Sequence, residues 1–299
     1  MKLGFALRLA LLYQLHLPPK QNLPAISREE RQRTFWPLYL QDRLMCLSRE
    51  RLCVLRDEEC RIQLPCSESA FRVGQYEDAP TLDQVTGHSL DQEVVDNCSP
   101  LAIILVIAAA LRHVSEYMLS EARMTTSGPP WAANSPYSII SATLLQLEHH
   151  FGMSETYKEI VVQVCSMDGN LDQAVAGPMM FAKALFHLTH CLLHHPFLLQ
   201  QLLKRTNQRA PRSFAKTAWE NCRLHARALT GLNDMRKDNV LVLTSLYGYC
   251  TMVAGTVHVI SIKDSDPEVQ ASGLHHHTAA LEFLHELGHY WKHAQLMVS

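Results

Sequence analysis

The chain has 299 residues, of which 47% are hydrophobic and 19% charged, with 12 Gly and 14 Pro. This composition is typical of a globular protein and excludes the collagen-like, low-complexity and disordered classes. The 27 basic and 29 acidic residues leave a formal charge of -2. The chain therefore lacks the excess of positive charge with which many proteins bind nucleic acid.

The first predicted element is an amphipathic helix at the N-terminus, where Leu3, Leu7, Ala10 and Leu11 recur at helical spacing. The same stretch superficially resembles a signal peptide. However, Arg8 interrupts its apolar run and no small-residue cleavage site follows it. We therefore expect no signal peptide.

A second helix is predicted to begin at Ser27–Glu30, because this segment has the pattern of a capping box. Its apolar positions are Phe35, Leu38, Leu44 and Leu47. Pro37 falls inside the helix and is expected to bend or interrupt it, since proline has no N–H to donate.

Further helices are predicted from apolar periodicity and from the Ser-Pro pairs at 99–100 and 135–136, which favour helix starts. Their ranges are 100–123, 136–151, 173–194, 197–205, 214–230, 239–262 and 268–294. The most apolar stretch, Leu101–Leu111, has 11 residues and is predicted to be a core helix that is too short to span a bilayer. The longest irregular stretch, 66–92, is predicted to be a mobile loop.

Strand signals are nearly absent, and no linker divides the chain. The sequence therefore predicts an all-α fold, in which many helices and irregular loops form one globular domain over residues 1–299 without a significant sheet.

The nine cysteines do not follow the spacing of a zinc site or of a disulfide framework, because their number is odd and no CxxC pair occurs. Cys46, Cys53, Cys60 and Cys66 lie 7, 7 and 6 residues apart, whereas zinc ligands usually come in closer pairs. We predict that the cysteines are reduced and mostly buried.

The enzyme-like motif of the chain is HELGH, at His285–His289. In metalloproteases this pattern places two His one helical turn apart as zinc ligands, with the Glu as general base. The corresponding alternative function is a zinc-dependent metallohydrolase with His285 and His289 as ligands and Glu286 as base.

The helical geometry of this segment argues against the metal site. The apolar residues from Ala280 to Ala294 share one arc, and His285 and His289 lie almost opposite it, on the face expected to contact solvent. No third ligand follows at the usual downstream spacing, and one from upstream is left open. We therefore predict an amphipathic helix with no catalytic residues and no metal.

A different segment carries a family resemblance. Glu30–Arg43 reads ERQRTFWPLYLQDR and is followed by Arg56–Cys60 and by Leu64-Pro65. It resembles the signature of the fungal-specific transcription factor domain, the regulatory middle homology region of fungal Zn2Cys6 transcription factors. Gly4–His16 and Leu192–Phe197 are similar to further elements of the family, so the resemblance extends over almost the whole chain.

Two departures from the family accompany this resemblance. The zinc cluster of the family, in which six Cys hold two zinc ions, has no counterpart among the nine Cys, so no cofactor is expected in this chain. The family domain normally begins with several helices before the Gly4–His16 element, and this sequence starts three residues before Gly4, so we expect an N-terminally incomplete domain with exposed apolar faces.

The signature residues are expected to be structural. They are Arg33, Phe35, Trp36, Tyr39, Asp42, Arg43, Arg56, Asp57 and Cys60. We predict that some of the charged members form a polar network between the helix and the turn at 56–60; a ligand pocket lined by these residues is the alternative.

The resemblance implies a regulatory module in the nucleus that controls transcription through contacts with proteins of the transcription machinery and through a small-molecule effector. DNA would be bound by a zinc cluster module outside this chain, and no membrane partner is expected. A fragment of a longer regulator, either non-functional or dominantly interfering, is the third interpretation.

Overall fold

Helices make up almost all of the regular structure of the protein. The computed structural model describes residues 2–20, 23–47, 53–75, 77–87, 92–118, 128–163, 165–167, 170–238 and 243–297. The helices in chain order are α1 (Lys2–Leu12), α2 (Ala25–Met45), α3 (Glu68–Val73), α4 (Leu82–Thr86), α5 (Gln92–Asp96), α6 (Pro100–Met118), α7 (Pro136–His150), α8 (Tyr157–Gln163), α9 (Gln173–His194), α10 (Pro196–Arg205), α11 (Arg212–Thr230), α12 (Leu232–Lys237), α13 (Ser245–Ser261), α14 (Pro267–Tyr290) and α15 (Lys292–Gln295).

The strands in the described residues are β1 (Ser166–Met167) and β2 (Asn170–Leu171), which pair antiparallel over two residues each. A 3-10 turn at Asp57–Glu59 follows α2. The predicted all-α class without a significant sheet is therefore confirmed.

The predicted helix starts at the two Ser-Pro pairs are confirmed, and the side-chain contacts explain them. The Ser99 hydroxyl accepts a hydrogen bond from the Ala102 amide at 3.1 Å, and the Ser135 hydroxyl accepts one from the Ser138 amide at 3.1 Å. Each serine thus satisfies an amide of the first turn, which has no partner within its own helix. Residues 119–123 of the first predicted helix lie outside the described residues.

Helix α2 differs from its prediction at two points. It begins at Ala25 after Pro24, so the expected capping box at Ser27 does not mark its start. It also continues through Pro37 without interruption. The missing hydrogen bond at Pro37 costs stability, but α2 buries aromatic side chains on both sides of this residue, and tertiary packing of this kind supplies most helix stability.

The stretch 66–92, predicted to be a loop, contains two short helices. α3 begins where the Ser67 hydroxyl accepts the Ala70 amide and ends at Gly74, which has a φ of 68°. α4 is held by the fully buried side chains of Leu82 and Val85. Such short helices give too few turns for a periodic signal. Residues 76 and 88–91 lie outside the described residues, and mobility of the stretch stays a prediction.

The chain forms two compact units, which we describe separately. Unit 1 comprises Met1–Thr125 and Ala142–Met153, and unit 2 comprises Thr126–Ser141 and Ser154–Ser299. In unit 1, α2 packs against α1 and α6. In unit 2, α11 packs against α9 and α13, and α14 covers α13. The interpretation of 1–299 as one domain stays a prediction.

Helix α6 begins at the predicted residue and extends to Met118, the last described residue of this stretch. It has 19 residues and, in the described part of the chain, it is the helix that is long and apolar enough to cross a membrane. However, 72% of its most apolar window is buried inside the fold, as in a core helix. The expectation that this segment is too short to span a bilayer counted only the 11 apolar residues Leu101–Leu111, whereas the helix that contains them continues through the polar Arg112 and Ser115.

The prediction that all cysteines are reduced is corrected at one pair. Cys46 and Cys53 form a disulfide in the structure, with their Cα atoms 5.8 Å apart. No local sequence pattern indicates this pair, because the proximity of the two cysteines depends on tertiary contacts that bring Val54 and Leu55 back to Asp42 at the end of α2. The expected burial is confirmed for the free thiols Cys60, Cys66, Cys165, Cys191, Cys222 and Cys250, whereas Cys98 is half-buried.

Candidate functional site

The signature helix α2 contributes an aromatic cluster to the core of unit 1. Phe35, Trp36 and Tyr39 are almost fully buried, and each neighbouring pair of rings lies edge to face with centroids 5.2 Å apart. The Trp36 indole donates a hydrogen bond to the Gln63 carbonyl at 2.7 Å. The cluster therefore fixes the segment that follows the 3-10 turn against α2.

Asp42 and Arg43, at the end of α2, hold the returning chain. The Asp42 carboxylate accepts hydrogen bonds from the backbone amides of Val54, at 3.0 Å, and of Leu55, at 3.0 Å. The Arg43 guanidinium is fully buried, pairs with Asp42 at 2.8 Å and donates to the Leu55 carbonyl at 3.0 Å. Its positive charge also lies 4.0 Å from the centre of the Tyr39 ring. Neighbouring groups thus compensate for the burial of both charges.

Asp57 connects three elements of unit 1. Its carboxylate accepts a hydrogen bond from the Tyr39 hydroxyl at 2.6 Å and pairs with Arg43 at 2.6 Å and with Arg112 of α6 at 2.8 Å. Burial by itself would raise the pKa of Asp57, but Arg43, the Tyr39 hydroxyl and Arg112 outweigh it and hold this pKa below its ordinary value. Asp57 is therefore ionised and fully engaged.

Arg33, one helical turn before Pro37, forms a second polar cluster. Its guanidinium pairs with Glu29 at 2.7 Å and with Glu68 of α3 at 2.5 Å, and it donates to the Cys66 carbonyl at 3.3 Å. It also lies over the Phe71 ring, 4.1 Å from its centre. Arg33 therefore attaches α3 to α2.

Two signature residues lie outside these ion pairs. Arg56 is exposed and contributes its carbonyl, which accepts a hydrogen bond from the Cys60 thiol at 3.2 Å. Cys60 is buried, and this burial raises its pKa to about 12. A thiol of this kind is a packing residue and not a nucleophile.

Some residues of the network were not identified from the sequence. Arg112 comes from α6, 55 positions after its partner Asp57. Gln63 and Glu68 also belong to the network, through Trp36 and Arg33. No local pattern connects such distant positions. The available signal is the single arginine of α6, which directly follows the apolar run Leu101–Leu111.

An apolar groove lies beside the network in unit 1. It has a volume of about 210 Å³ and is lined by Arg33, Trp36, Pro37, Leu40, Pro65, Leu101, Ile104 and Leu105. Arg33 is its charged residue and is already engaged with two carboxylates. The groove therefore offers mainly apolar contacts.

The HELGH residues, in unit 2, lie on α14. His285 and His289 are exposed, as the helical geometry predicted, and their ring centres are 5.3 Å apart. Glu286 forms an ion pair with Arg236 and is not placed as a general base. Among the residues that the structure describes, no group of three or more His, Cys, Asp or Glu is arranged to hold a metal ion. The metallohydrolase alternative thus has no support.

Unit 2 also contains a cluster of buried histidines that sequence reasoning did not identify. His187 and His225 join α9 and α11 through their Nδ1 atoms, which are 2.9 Å apart, and the His190 and His225 rings stack at 3.8 Å. The Tyr137 hydroxyl lies 2.6 Å from Nδ1 of His194. Burial lowers the pKa of His225 to about 3 and that of His194 to about 4, so the cluster is neutral at pH 7.

Comparison with known proteins agrees with the signature. Residues 2–230 match the fungal specific transcription factor domain. The Zn(2)-C6 fungal-type transcription factor FTF1c of Fusarium oxysporum f. sp. lycopersici is 22% identical over 96% of this chain and 32% of its own length. The corresponding factor FTF2 of the same organism is 23% identical over 96% of this chain and 28% of its own length.

A third relative comes from a different organism. The uncharacterized transcriptional regulatory protein C1327.01c of Schizosaccharomyces pombe is 29% identical over 47% of this chain and 16% of its own length. The chain thus spans about a third of the FTF1c protein and less of the others. No solved structure matches the chain. Because the family match covers most of the sequence, from residue 2 to residue 230, the chain belongs to the fungal-specific transcription factor domain family.

Proposed function

We propose that the chain is a regulatory module of a Zn2Cys6-type transcription factor, which works in the nucleus by contacts with other proteins and not by catalysis. The observation that carries this proposal is the family match over residues 2–230. The relatives named as Zn(2)-C6 transcription factors support it, since they align with 96% of the chain.

The network around α2 supports a module that works by its surface. Its buried charges are engaged with one another in ion pairs and backbone hydrogen bonds, which is how structural networks are built. We propose that the chain itself holds no zinc, that DNA contact belongs to a separate zinc cluster module, and that its partners are proteins of the transcription machinery. The formal charge of -2 favours this division of roles.

A reporter assay in a fungal host tests the proposal. The chain is placed between an unrelated DNA-binding domain and an unrelated activation domain, and transcription is compared with that of the same fusion without the chain. We expect a change of several-fold, which is lost in Asp42→Ala because this residue maintains the network. Glu58→Ala, an exposed neighbour, is the matched control. Equal transcription with and without the chain, at equal protein levels, would contradict the role.

The effector in this proposal is a small apolar molecule, and the groove between α2 and α6 is the observation that favours it. The fluorescent probe anilinonaphthalene sulfonate tests whether the groove accepts such a ligand. We expect the probe to gain fluorescence with the wild-type chain and to lose most of this gain with Leu40→Phe, which fills the groove. Leu145→Phe, at an exposed position on α7, is the control. Equal fluorescence of the two variants would exclude the groove as the binding site.

A further inference from the structure

Two cysteines lie next to each other where the chain returns to the end of α2. Cys46 is the C-cap of this helix, and Cys53 lies seven residues later with its Cα 5.8 Å away. This Cα distance is in the usual range for a disulfide. Cys46 is buried and Cys53 is half-buried, so Cys53 is the more exposed residue of the pair.

The two cysteines are brought together by contacts that do not involve sulfur. The Asp42 carboxylate binds the amides of Val54 and Leu55, and Arg43 binds the Leu55 carbonyl. These hydrogen bonds fix the residues that directly follow Cys53. The pair therefore stays positioned for bond formation when the disulfide is open, which is what a reversible disulfide requires.

The reduced form also has a hydrogen-bond partner available. The Cys46 sulfur lies 3.1 Å from the Asp42 carbonyl oxygen and the Cys53 sulfur lies 3.9 Å from the same atom. A thiol at Cys46 is thus able to donate a hydrogen bond to this carbonyl, so breaking the disulfide leaves no buried polar group without an acceptor.

Burial keeps four of the free thiols protonated. Burial raises the pKa of Cys60 and of Cys98 to about 12 and those of Cys66 and Cys165 to about 11. At pH 7 these groups are fully protonated, and the thiol form reacts slowly in disulfide exchange.

We propose that Cys46 and Cys53 are a redox-sensitive modification site, which opens and closes as a reversible disulfide beside the Asp42–Arg43 network. Disulfides in reducing compartments are usually transient or redox-sensing, and the nuclear compartment used here comes from the proposed function. Oxidation adds a covalent link between the end of α2 and the segment that leads to Asp57.

Glutathione disulfide is the oxidant class that completes the reaction. The Cys53 thiolate, formed by proton loss to solvent, attacks one sulfur of glutathione disulfide, whose S–S bond breaks and releases one glutathione thiolate. The Cys46 thiolate then attacks the Cys53 sulfur of this mixed disulfide and displaces the second glutathione. The protein loses two electrons and two protons, and one glutathione disulfide becomes two glutathione thiols.

The experiment uses the full purified chain, which is equilibrated in its folded state in buffers with different ratios of oxidised to reduced glutathione. Thiol exchange is then stopped with acid, free thiols are alkylated, and the protein is digested with trypsin. Trypsin cuts after Arg49 and Arg51, so the peptides that contain Cys46 and Cys53 separate unless they are joined. We expect joined peptides in excess glutathione disulfide and separate, alkylated peptides in excess glutathione. The ratio of joined to separate peptides is expected to follow the oxidised glutathione concentration divided by the square of the reduced one.

Two variants show which cysteines form the crosslink. Cys53→Ser is expected to leave Cys46 alkylated in every buffer, whereas Cys98→Ser leaves the response unchanged; circular dichroism checks that both variants fold. Alkylation of Cys46 and Cys53 in all buffers would overturn the proposal, as would a crosslink that persists in excess glutathione or joins Cys46 to another cysteine. Because no reporter is involved, failure here leaves the transcriptional role untouched.

Discussion

Arg112, in the middle of the apolar helix α6, pairs with Asp57 in the turn after α2, with 2.8 Å between Nη1 and Oδ2. Both side chains are largely buried, with exposed fractions of 12% and 16%. The pair connects the signature segment to the core helix of unit 1, and Arg43 binds the other oxygen of the same carboxylate. We therefore expect the stability of unit 1 to depend on contacts between residues that are far apart in the sequence.

A double-mutant cycle measures this contact. We expect Arg112→Gln and Asp57→Asn to be coupled by about 0.5–3 kcal/mol in the free energy of unfolding, because each removes a partner of the same partly buried pair. The exposed pair Lys216–Glu220, at 3.9 Å, is the control and should show a coupling of about 0.3–0.5 kcal/mol. Urea denaturation of the single and double variants provides the values, and additive effects at Arg112 and Asp57 would contradict the prediction.

Asp42→Ala is expected to destabilise the protein by about 3–5 kcal/mol, because it leaves the fully buried Arg43 without one counter-charge and removes the acceptor of two backbone amides. Glu58→Ala, at an exposed position in the 3-10 turn, should change the free energy of unfolding by less than about 0.5 kcal/mol. Thermal and urea denaturation compare the two variants. A midpoint for Asp42→Ala equal to that of the wild type would show that the network does not stabilise the fold.

Acid is expected to destabilise the protein well above the pH at which carboxylates protonate. Several His in unit 2 have folded pKa values lowered by burial, to about 3 for His225 and His258 and about 4 for His194 and His195. Their unfolded pKa is about 6.5, so between pH 6.5 and the folded pKa the unfolded chain binds more protons. The free energy of unfolding should therefore decrease as the pH is lowered, by up to about 1.4 kcal/mol per pH unit for each such group.

Urea denaturation at pH 7.5, 6.0 and 5.0 measures this dependence. His225→Asn is expected to reduce the slope, whereas His285→Asn, at an exposed position, should leave it unchanged. Asp57 acts in the same direction at lower pH, because its folded pKa is also lowered. Its folded pKa is depressed, so its contribution is present above the unfolded pKa of about 3.9 and is lost as the pH falls through the folded value. Constant stability from pH 7.5 to 5.0 would contradict the histidine prediction.

The HELGH segment is expected to have no catalytic role. Purified protein should contain no stoichiometric zinc by elemental analysis, and Glu286→Gln should leave peptide hydrolysis at the background level of the wild type. Because Glu286 pairs with Arg236, the same substitution is expected to lower stability slightly. Zinc bound at one ion per chain, together with hydrolysis that Glu286→Gln abolishes, would restore the enzyme interpretation.

Helix α1 is expected to cause self-association of the isolated chain. Phe5 and Leu12 of α1, and Tyr13 directly after it, have exposed fractions of 66%, 73% and 69%. Phe5 and Leu12 are seven residues apart and therefore lie on the same face of the helix. The double substitution Phe5→Gln and Leu12→Gln should shift the protein toward the monomer in light scattering, at concentrations where the wild type associates. Val162→Gln, at a single exposed position on α8, is the control. A monomeric wild type with one sharp unfolding transition would contradict this prediction.

Local sequence features determined much of the helical layout. Ser99 and Ser135 act on amides only three residues away, and the apolar repeat of α9 lies within one helix, so its bounds at Gln173–His194 could be read directly. The signature residues likewise identified the family from a short segment. Helix capping and helical periodicity involve residues that are only a few positions apart, so they can be predicted without knowledge of the tertiary structure.

Tertiary structure alone decided the partners of the charges and thiols. Asp57 meets Arg112 across 55 positions, and Cys46 meets Cys53 because Asp42 returns the chain to the end of α2. The helical spacing of α2 shows that Asp42 and Arg43 are near each other but not which distant groups neutralise them. A buried charge needs a partner, because an isolated charge inside the protein is too costly. The packing of α2 against α6 determines which distant side chain provides the counter-charge.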